Sequence, residues 1–499
     1  MNQRITYQDW RQPEQLQLLG EYDDQLTDPK EIVKKAESLW RDHEVERDRL
    51  AKIDQWYKGE QEPHNVRGAT PELQELLALS RTPWLGLVVT TIAQAMYVDG
   101  YRSPVTGDDV PGPWRIWNDN GMHKHQIAIH RAALGYGYAY ALVENGVSSI
   151  TGEPTARIKG MSPKRLFAVY DDPAVDDWPV YALRVDRAEN ERKLFTFYDS
   201  MFAHSLTLHE GKWTIHSTVP HGASVVPVVR YTNALDLDGN APGEVEPFIV
   251  VAARVDKSSF DRLLTQHYNS WKKFYVSGMT DITDAEEARL AKMRIRQDDV
   301  IVAESVETKF GTIDETDLNG FINVINADVE HLAAVSQLPS HLLTGKLVNL
   351  SSDALSAARA PLTQKVYERQ VSFGASHAQL LRLASAMSGD LSGASDVLAR
   401  VSWQDMEIRS LAQAADALGK MAVQLGIPRI ALWRMLPGVT QDDIDEWKEH
   451  LLDDDPTAVY LRELNATGSQ QKDDGDDQTD SEENGTVDPE KNSGSTSGD

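Results

Sequence analysis

In the first third of the chain apolar residues recur every three or four positions, the spacing of helices with one face turned inward. From Pro29 to about Lys58 the series Ile32, Val33, Ala36, Leu39, Trp40, Leu50, Ile53, Trp56 and Tyr57 predicts one long helix. Thr70-Pro71 predicts the start of a second, since a threonine oxygen caps free amides and proline suits the first helical position. Trp84 to Met96 is a third apolar stretch, closed by a turn at Asp99-Gly100. Gln126 to Tyr136 predicts another helix, leading into a strand at Tyr138 to Glu144. Between Ala156 and Asn233 the period falls to two, in short runs rich in Val, Tyr, Phe and Thr. These are Arg165–Tyr170, Val180–Val185, Leu194–Tyr198, Ser205–His209, Trp213–Ser217 and Val225–Tyr231, an antiparallel sheet joined to a helical region.

The pattern changes again at Glu246. Ile249, Ala252, Val255, Phe260, Leu263, Leu264, Tyr268, Trp271, Phe274 and Tyr275 predict a helix of about 30 residues, roughly 45 Å long. Thr283 to Glu286 is a capping box that opens a short helix to about Met293. Strands are expected at Val300–Ala303 and Val306–Ile313, then a second long helix from about Leu318 to Ser336. His341 to Asn349 is irregular. Ser352 to about Met387 is helical again, with Pro361 expected to kink it by removing a backbone donor. Trp403 to Leu452 reads as a helical cluster broken at Gly426-Ile427-Pro428 and Pro437-Gly438. After Leu464 apolar groups nearly vanish, so the end of the chain is expected to be disordered. The fold class is thus α+β and helix-rich.

Composition narrows the functional classes. The 499 residues suffice for two or three cores. The absence of cysteine excludes disulfides and thiolate metal sites and fits a reducing compartment. No apolar run reaches the roughly 20 residues of a membrane span, and the polar stretch Met1 to Leu26 is unlike a signal peptide; a soluble, unexported protein is expected. Formal net charge is −27, from 77 acidic and 50 basic residues. Residues 466–499 carry ten acids against Lys472 and Lys491, which leaves −19 on the rest. A tight DNA binder neutralises phosphates with Lys and Arg, so this surface either avoids nucleic acid or touches it without holding it.

The sequence carries little that resembles catalytic chemistry. Gly345-Lys346 is no phosphate loop, because the glycine needed five positions before Gly345 is Ser340 and Leu347 follows the lysine. Gly135-x-Gly137 lacks the third glycine of a dinucleotide fingerprint, its place taken by Tyr140. His123, His125 and His130 have no carboxylate motif beside them and read as surface or packing residues. The acidic runs Asp453–Asp455 and Asp473–Asp477 read as solvated charge. No His-Glu-x-x-His or Gly-x-Ser-x-Gly occurs. No catalytic residue, metal site or cofactor is expected.

The order of elements, and five segments within it, resemble the portal proteins of tailed bacteriophages, in particular the siphophage group common in actinobacterial phages. The segments are Leu50-Ala-Lys-Ile-Asp-Gln-Trp-Tyr-Lys-Gly59, Ser80-Arg-Thr-Pro-Trp-Leu85, Ala95-Met-Tyr-Val-Asp-Gly-Tyr101, Val226-Pro-Val-Val-Arg-Tyr-Thr-Asn233 and Asn349-Leu-Ser-Ser-Asp-Ala-Leu355. The resemblance covers about residues 30 to 455. It implies a flexible N-terminus over 1–29, a wing over 30–245, a stem helix over 246–276 and a clip over 277–316. A second stem helix over 317–338, a tunnel loop over 339–351, a kinked wing helix with its connection over 352–399 and a crown over 400–455 follow, with a disordered tail over 465–499. It also implies a ring, typically of twelve copies, at one capsid vertex of the virion, assembled in the host bacterial cytoplasm. Double-stranded DNA passes through such a ring transiently and without sequence preference, while a terminase motor supplies ATP hydrolysis. Head–tail connector, adaptor, major capsid and scaffold proteins are the other implied partners, with no membrane involved.

Under that resemblance two groups of residues become candidate sites. The tunnel loop offers Leu342, Leu343, Leu347 and Leu350 with Lys346 and Asn349, an apolar loop with one cation that either touches the DNA backbone weakly or packs between neighbouring copies. The clip carries Glu286, Glu287, Arg289, Lys292, Arg294 and Arg296, a mixed surface suited to protein docking or to ring closure. The rival readings are a packaging ATPase or nuclease, whose motifs are missing, and another virion protein such as the major capsid protein, against which the paired long helices speak.

Overall fold

The computed structural model describes residues 28–62, 70–103, 111–147, 152, 154–189, 192–269, 273–277, 309–313, 317–346, 352–404 and 411–453, without 434, 437 and 440. It is an α+β chain in two compact units that divide after Ile408. The candidate clip residues Glu286 to Arg296, the loop residues Leu347, Asn349 and Leu350, and the terminal segments 1–27 and 454–499 lie outside the described residues.

The first unit opens with helix α1 (Pro29–Lys58), capped by Asp28, whose carboxylate accepts the Lys30 amide, and ended by Gly59 at φ +75°. Two shorter helices follow, α2 (Pro71–Leu79) and α3 (Trp84–Gln94). The Thr70 hydroxyl accepts the Leu73 amide at 3.3 Å, as expected for an N-cap. Contrary to the expectation from hydropathy, the stretch Pro71–Gln94 is long and apolar enough to cross a membrane. It is two helices separated at Ser80–Pro83, however, and α3 buries Leu85, Val88, Val89 and Ile92 in the main core. Strand β1 (Val98–Arg102) and helices α4 (Pro111–Asp119) and α5 (Met122–Tyr136) complete this part.

Two stacked sheets form the centre. Strands β2 (Tyr138–Val147), β3 (Pro154–Met161) and β9 (Val228–Thr232) make a three-stranded sheet in the order β3-β2-β9. Strands β4 (Leu166–Val169), β5 (Tyr181–Glu189), β6 (Arg192–Tyr198), β7 (Phe202–His209) and β8 (Lys212–Pro220) form an antiparallel meander. Because side chains alternate across a sheet, each face of the first sheet has its own core. Ala139, Ala141, Val143, Ile158, Val229 and Tyr231 share the main core with α3 and α5. Tyr140, Leu142, Met161 and Val228 pack instead on Leu166, Ala168, Ala182 and Tyr198 of the meander. The meander's remaining apolar residues, Leu183, Phe195, Phe197 and Leu206, are covered by Ile32, Ala36, Leu39 and Trp40 of α1.

Beyond the sheets come a 3-10 turn (Glu246–Phe248), α6 (Ile249–Asn269), β10 (Lys273–Ser277), β11 (Lys309–Ile313), α7 (Asn319–Val335) and α8 (Ser340–Thr344). They are followed by α9 (Ser352–Met387), α10 (Leu391–Ser395) and β12 (Arg400–Trp403). Three sequence expectations change. The helix foreseen over 246–276 ends at Asn269, and Lys273–Ser277 pairs antiparallel with Lys309–Ile313; its aromatic and β-branched residues suit a strand once a partner is present. The stretch after Pro339 is helical for five residues. Trp403, expected to open the last helical cluster, instead ends strand β12 and lies opposite Val98 of β1. The second unit, described by itself, holds α11 (Leu411–Gln424), α12 (Arg429–Trp433) and α13 (Gln441–Asp453), with Leu432 and Ile444 buried and Trp433 edge-on to Trp447.

Candidate functional site

Helices α6 and α7 pack along one another with buried Ala252, Val255 and Phe260 on the first and Val329, Leu332 and Ala333 on the second. Arg254 of α6 meets Asp328, near the middle of α7, at 2.8 Å; the contacts advance along α6 from Arg254 to Ser258 as they step back along α7 from His331 to Asp328, so the two run antiparallel. Ser258 donates to the same carboxylate at 3.3 Å, and Arg254 also reaches His331. The outer surface of the pair is partly apolar: Val250 is 79% exposed, and Tyr268, Ile322, Val324 and Val335 are also exposed.

The base of the pair is held by polar contacts to several elements. Arg49 of α1 ion-pairs with Glu246, and buried Asp256 accepts from the Gln61 side chain at 2.6 Å and the Thr82 amide at 3.3 Å. Deeper lies a cluster around Glu244. Its carboxylate accepts from Lys365 at 2.5 Å, from Arg369 at 3.2 Å and from the Asn233 amide group at 3.1 Å. Lys365 also donates to the Ser336 carbonyl at the end of α7, 3.0 Å away. All three charged side chains are nearly fully buried. Removing the shared carboxylate of such a cluster typically costs about 3–5 kcal/mol, because the buried cations are left without compensation. Sequence reading missed this cluster, since Glu244 and Lys365 are 121 residues apart.

Between α7 and α9 the chain turns sharply. Gln337 sits at φ +59°, unusual for a residue with a side chain, and the amides of Gln337 and Leu338 return to the Ala334 and Ala333 carbonyls. Gly345, at φ +66°, ends α8. Of the candidate loop residues, Leu343 is 6% exposed and belongs to the main core, so it holds α8 against that core. Leu342 is half-buried and Lys346 is exposed.

Elsewhere the polar groups of interest are structural. His123 and His125 are exposed, while His130 is fully buried and its Nε2 lies 2.8 Å from that of His377, whose Nδ1 meets the Tyr231 hydroxyl at 2.9 Å. Burial lowers the pKa of both imidazoles, that of His130 to about 4. Asp199, His204 and Thr218 form a carboxylate–imidazole–hydroxyl chain with both contacts at 2.9 Å, the connectivity of an activated nucleophile. Yet His204 is buried within the meander, and Asp199 also accepts the Met201 and Phe202 amides, so the chain closes the β6–β7 turn. A cleft of about 660 Å³ between α9, β9 and β12 is lined by Arg230, Val371, Gln379 and Trp403. Among the described residues no cluster of His, Cys, Asp or Glu is arranged to hold a metal ion.

A family model described as "Phage portal protein, SPP1 Gp6-like" matches residues 36–457. The portal protein of Mycobacterium phage L5 is 24% identical over 428 residues, covering 80% of this chain and 83% of the relative. That of Mycobacterium phage D29 is 24% identical over 388 residues, covering 73% and 77%. Among solved structures, a chain from the "Neck of native GTA particle computed with C12 symmetry" matches with a TM-score of 0.44 and 12% identity, covering 76% of this chain and 96% of that one.

Proposed function

The chain belongs to the phage portal proteins of the SPP1 Gp6-like family, and from that premise we propose that α6, α7 and α8 form the wall of a DNA conduit. The family is structural and non-enzymatic, and a portal protein stands at the capsid vertex of the virion. In this reading twelve copies close into a ring, each setting the exposed apolar side chains of its α6–α7 pair against a neighbour. A ring needs two different complementary surfaces on each copy, a head-to-tail interface that closes after a whole turn. Double-stranded DNA is packaged and ejected through the centre.

The observation that carries the reading is the antiparallel α6–α7 pair, anchored at its base by buried charge and apolar on its outside. The acidic body supports it. With −19 on residues 1–465 of each copy, a ring presents a negative field that repels phosphate and lets DNA slide. Lys346, exposed beside the chain turn, supplies a weak, sequence-independent contact. The segment 277–316 is the clip, where Glu286, Glu287, Arg289, Lys292, Arg294 and Arg296 meet the terminase and later the head–tail connector. Residues 400–455 are the crown, and assembly takes place in the host cytoplasm with capsid and scaffold proteins. Native mass measurement on the purified full chain tests the assembly. A species twelve times the chain mass is expected, and a monomer at every concentration would overturn the ring.

A further inference from the structure

We infer that Lys365 is a positioning residue that fixes the bases of both conduit helices, and the turn after α7, relative to α9. The inference rests on the conduit reading above. One ammonium group joins three elements: the Glu244 carboxylate just before the 3-10 turn that leads into α6, the Ser336 carbonyl that ends α7, and α9 itself. Its place at the end of α7 also suits the negative pole of that helix. Glu244 is not free to drift, since its amide donates to the Leu134 carbonyl and Asn233, whose own amide donates to Gly137, holds its side chain.

The partners divide the work in a way that can be tested. Without the ammonium, Glu244 still has Arg369 and Asn233, so the carboxylate stays compensated. What is lost is the tie to Ser336 at the end of α7 and the contact of the ammonium with the Phe248 ring at the base of α6, 5.7 Å away, so the loosening should centre on the end of α7 and the turn after it, with a smaller effect over residues 246–249. Glu244→Gln has a different consequence: it leaves two buried cations facing a neutral group, and the whole base of the pair should weaken.

The test is hydrogen exchange on the full-length protein for Lys365→Met, with Arg184→Met as control. Arg184 is a mostly buried cation in the meander, paired with Glu144 and Asp186, away from α7. Lys365→Met is expected to speed exchange over residues 333–346 by about tenfold, with little change in β6 and β7; Arg184→Met is expected to do the reverse. Unchanged exchange over 333–346, or a rise no larger than that in β6 and β7, would overturn the positioning role. In the phage, Lys365→Met is expected to leave rings intact and lower the share of DNA-filled heads. Selective loosening with normal filling would leave Lys365 as a positioning residue and sink the conduit reading for this segment.

Discussion

At the scale of single residues, the chemistry that can be tested lies in buried imidazoles and one exposed cation. His130 and His377 are neutral in the folded chain because burial lowers their pKa values. An unfolded histidine titrates near 6.5, so their contribution to stability is complete above that pH. It falls as pH drops toward about 4, where His130 gains its proton in the folded state. For His130 the slope is about 1.4 kcal/mol per pH unit within that window, and His377 adds to it in the same direction. Urea unfolding at about pH 7.5 and about pH 5 should show the loss, and His377→Gln should flatten it. The same variant should cost about 1–3 kcal/mol at neutral pH by leaving Tyr231 and His130 with poorer partners; an unchanged pH profile would show that His377 is not the titrating group. Lys346→Glu should impair DNA filling in the phage while rings still form, and normal filling would mean the lysine is not used.

At the scale of elements, local signals and distant pairings were unequally legible in the sequence. The start of α2 was readable because its cap, Thr70, and its first residue, Pro71, are adjacent. The meander was readable from alternation within each strand. The strand at 273–277 was not, because Phe274 and Tyr275 also extend the helical stripe of α6, and only pairing with Lys309–Ile313 decides between the two. Strand β12 was missed for the same reason: its partner β1 lies about 300 residues earlier, and Asp99-Gly100 reads locally as a turn. The candidate site shows a similar split. The segment between the long helices was found from its break at Pro339, but the burial of Leu343 and the Glu244–Lys365 contact depend on residues far apart in sequence. One glycine shows how tightly distant elements meet. Gly137, at φ +96°, ends α5, and a Cβ there would lie 1.9 Å from the Ala241 carbonyl oxygen. Gly137→Ala should therefore displace the loop that leads to Glu244, lowering stability by more than the roughly 1–3 kcal/mol of backbone strain alone. A thermal melt unchanged from the parent would contradict that packing.

At the scale of the whole molecule, family membership and charge give a consistent picture. Under the conduit reading the net acidic charge is an asset, because like charge lowers the friction of a passing polyanion. The reading places function in the segment 246–351 as a whole, with no single residue carrying it. Imaging the purified full-length ring by electron microscopy, at a resolution that traces helices, tests this most directly. The account predicts a closed ring whose central opening is lined by α6, α7 and α8, with Lys346 facing the hole. A ring whose opening is lined by other elements, or a chain that never closes into a ring, would contradict it.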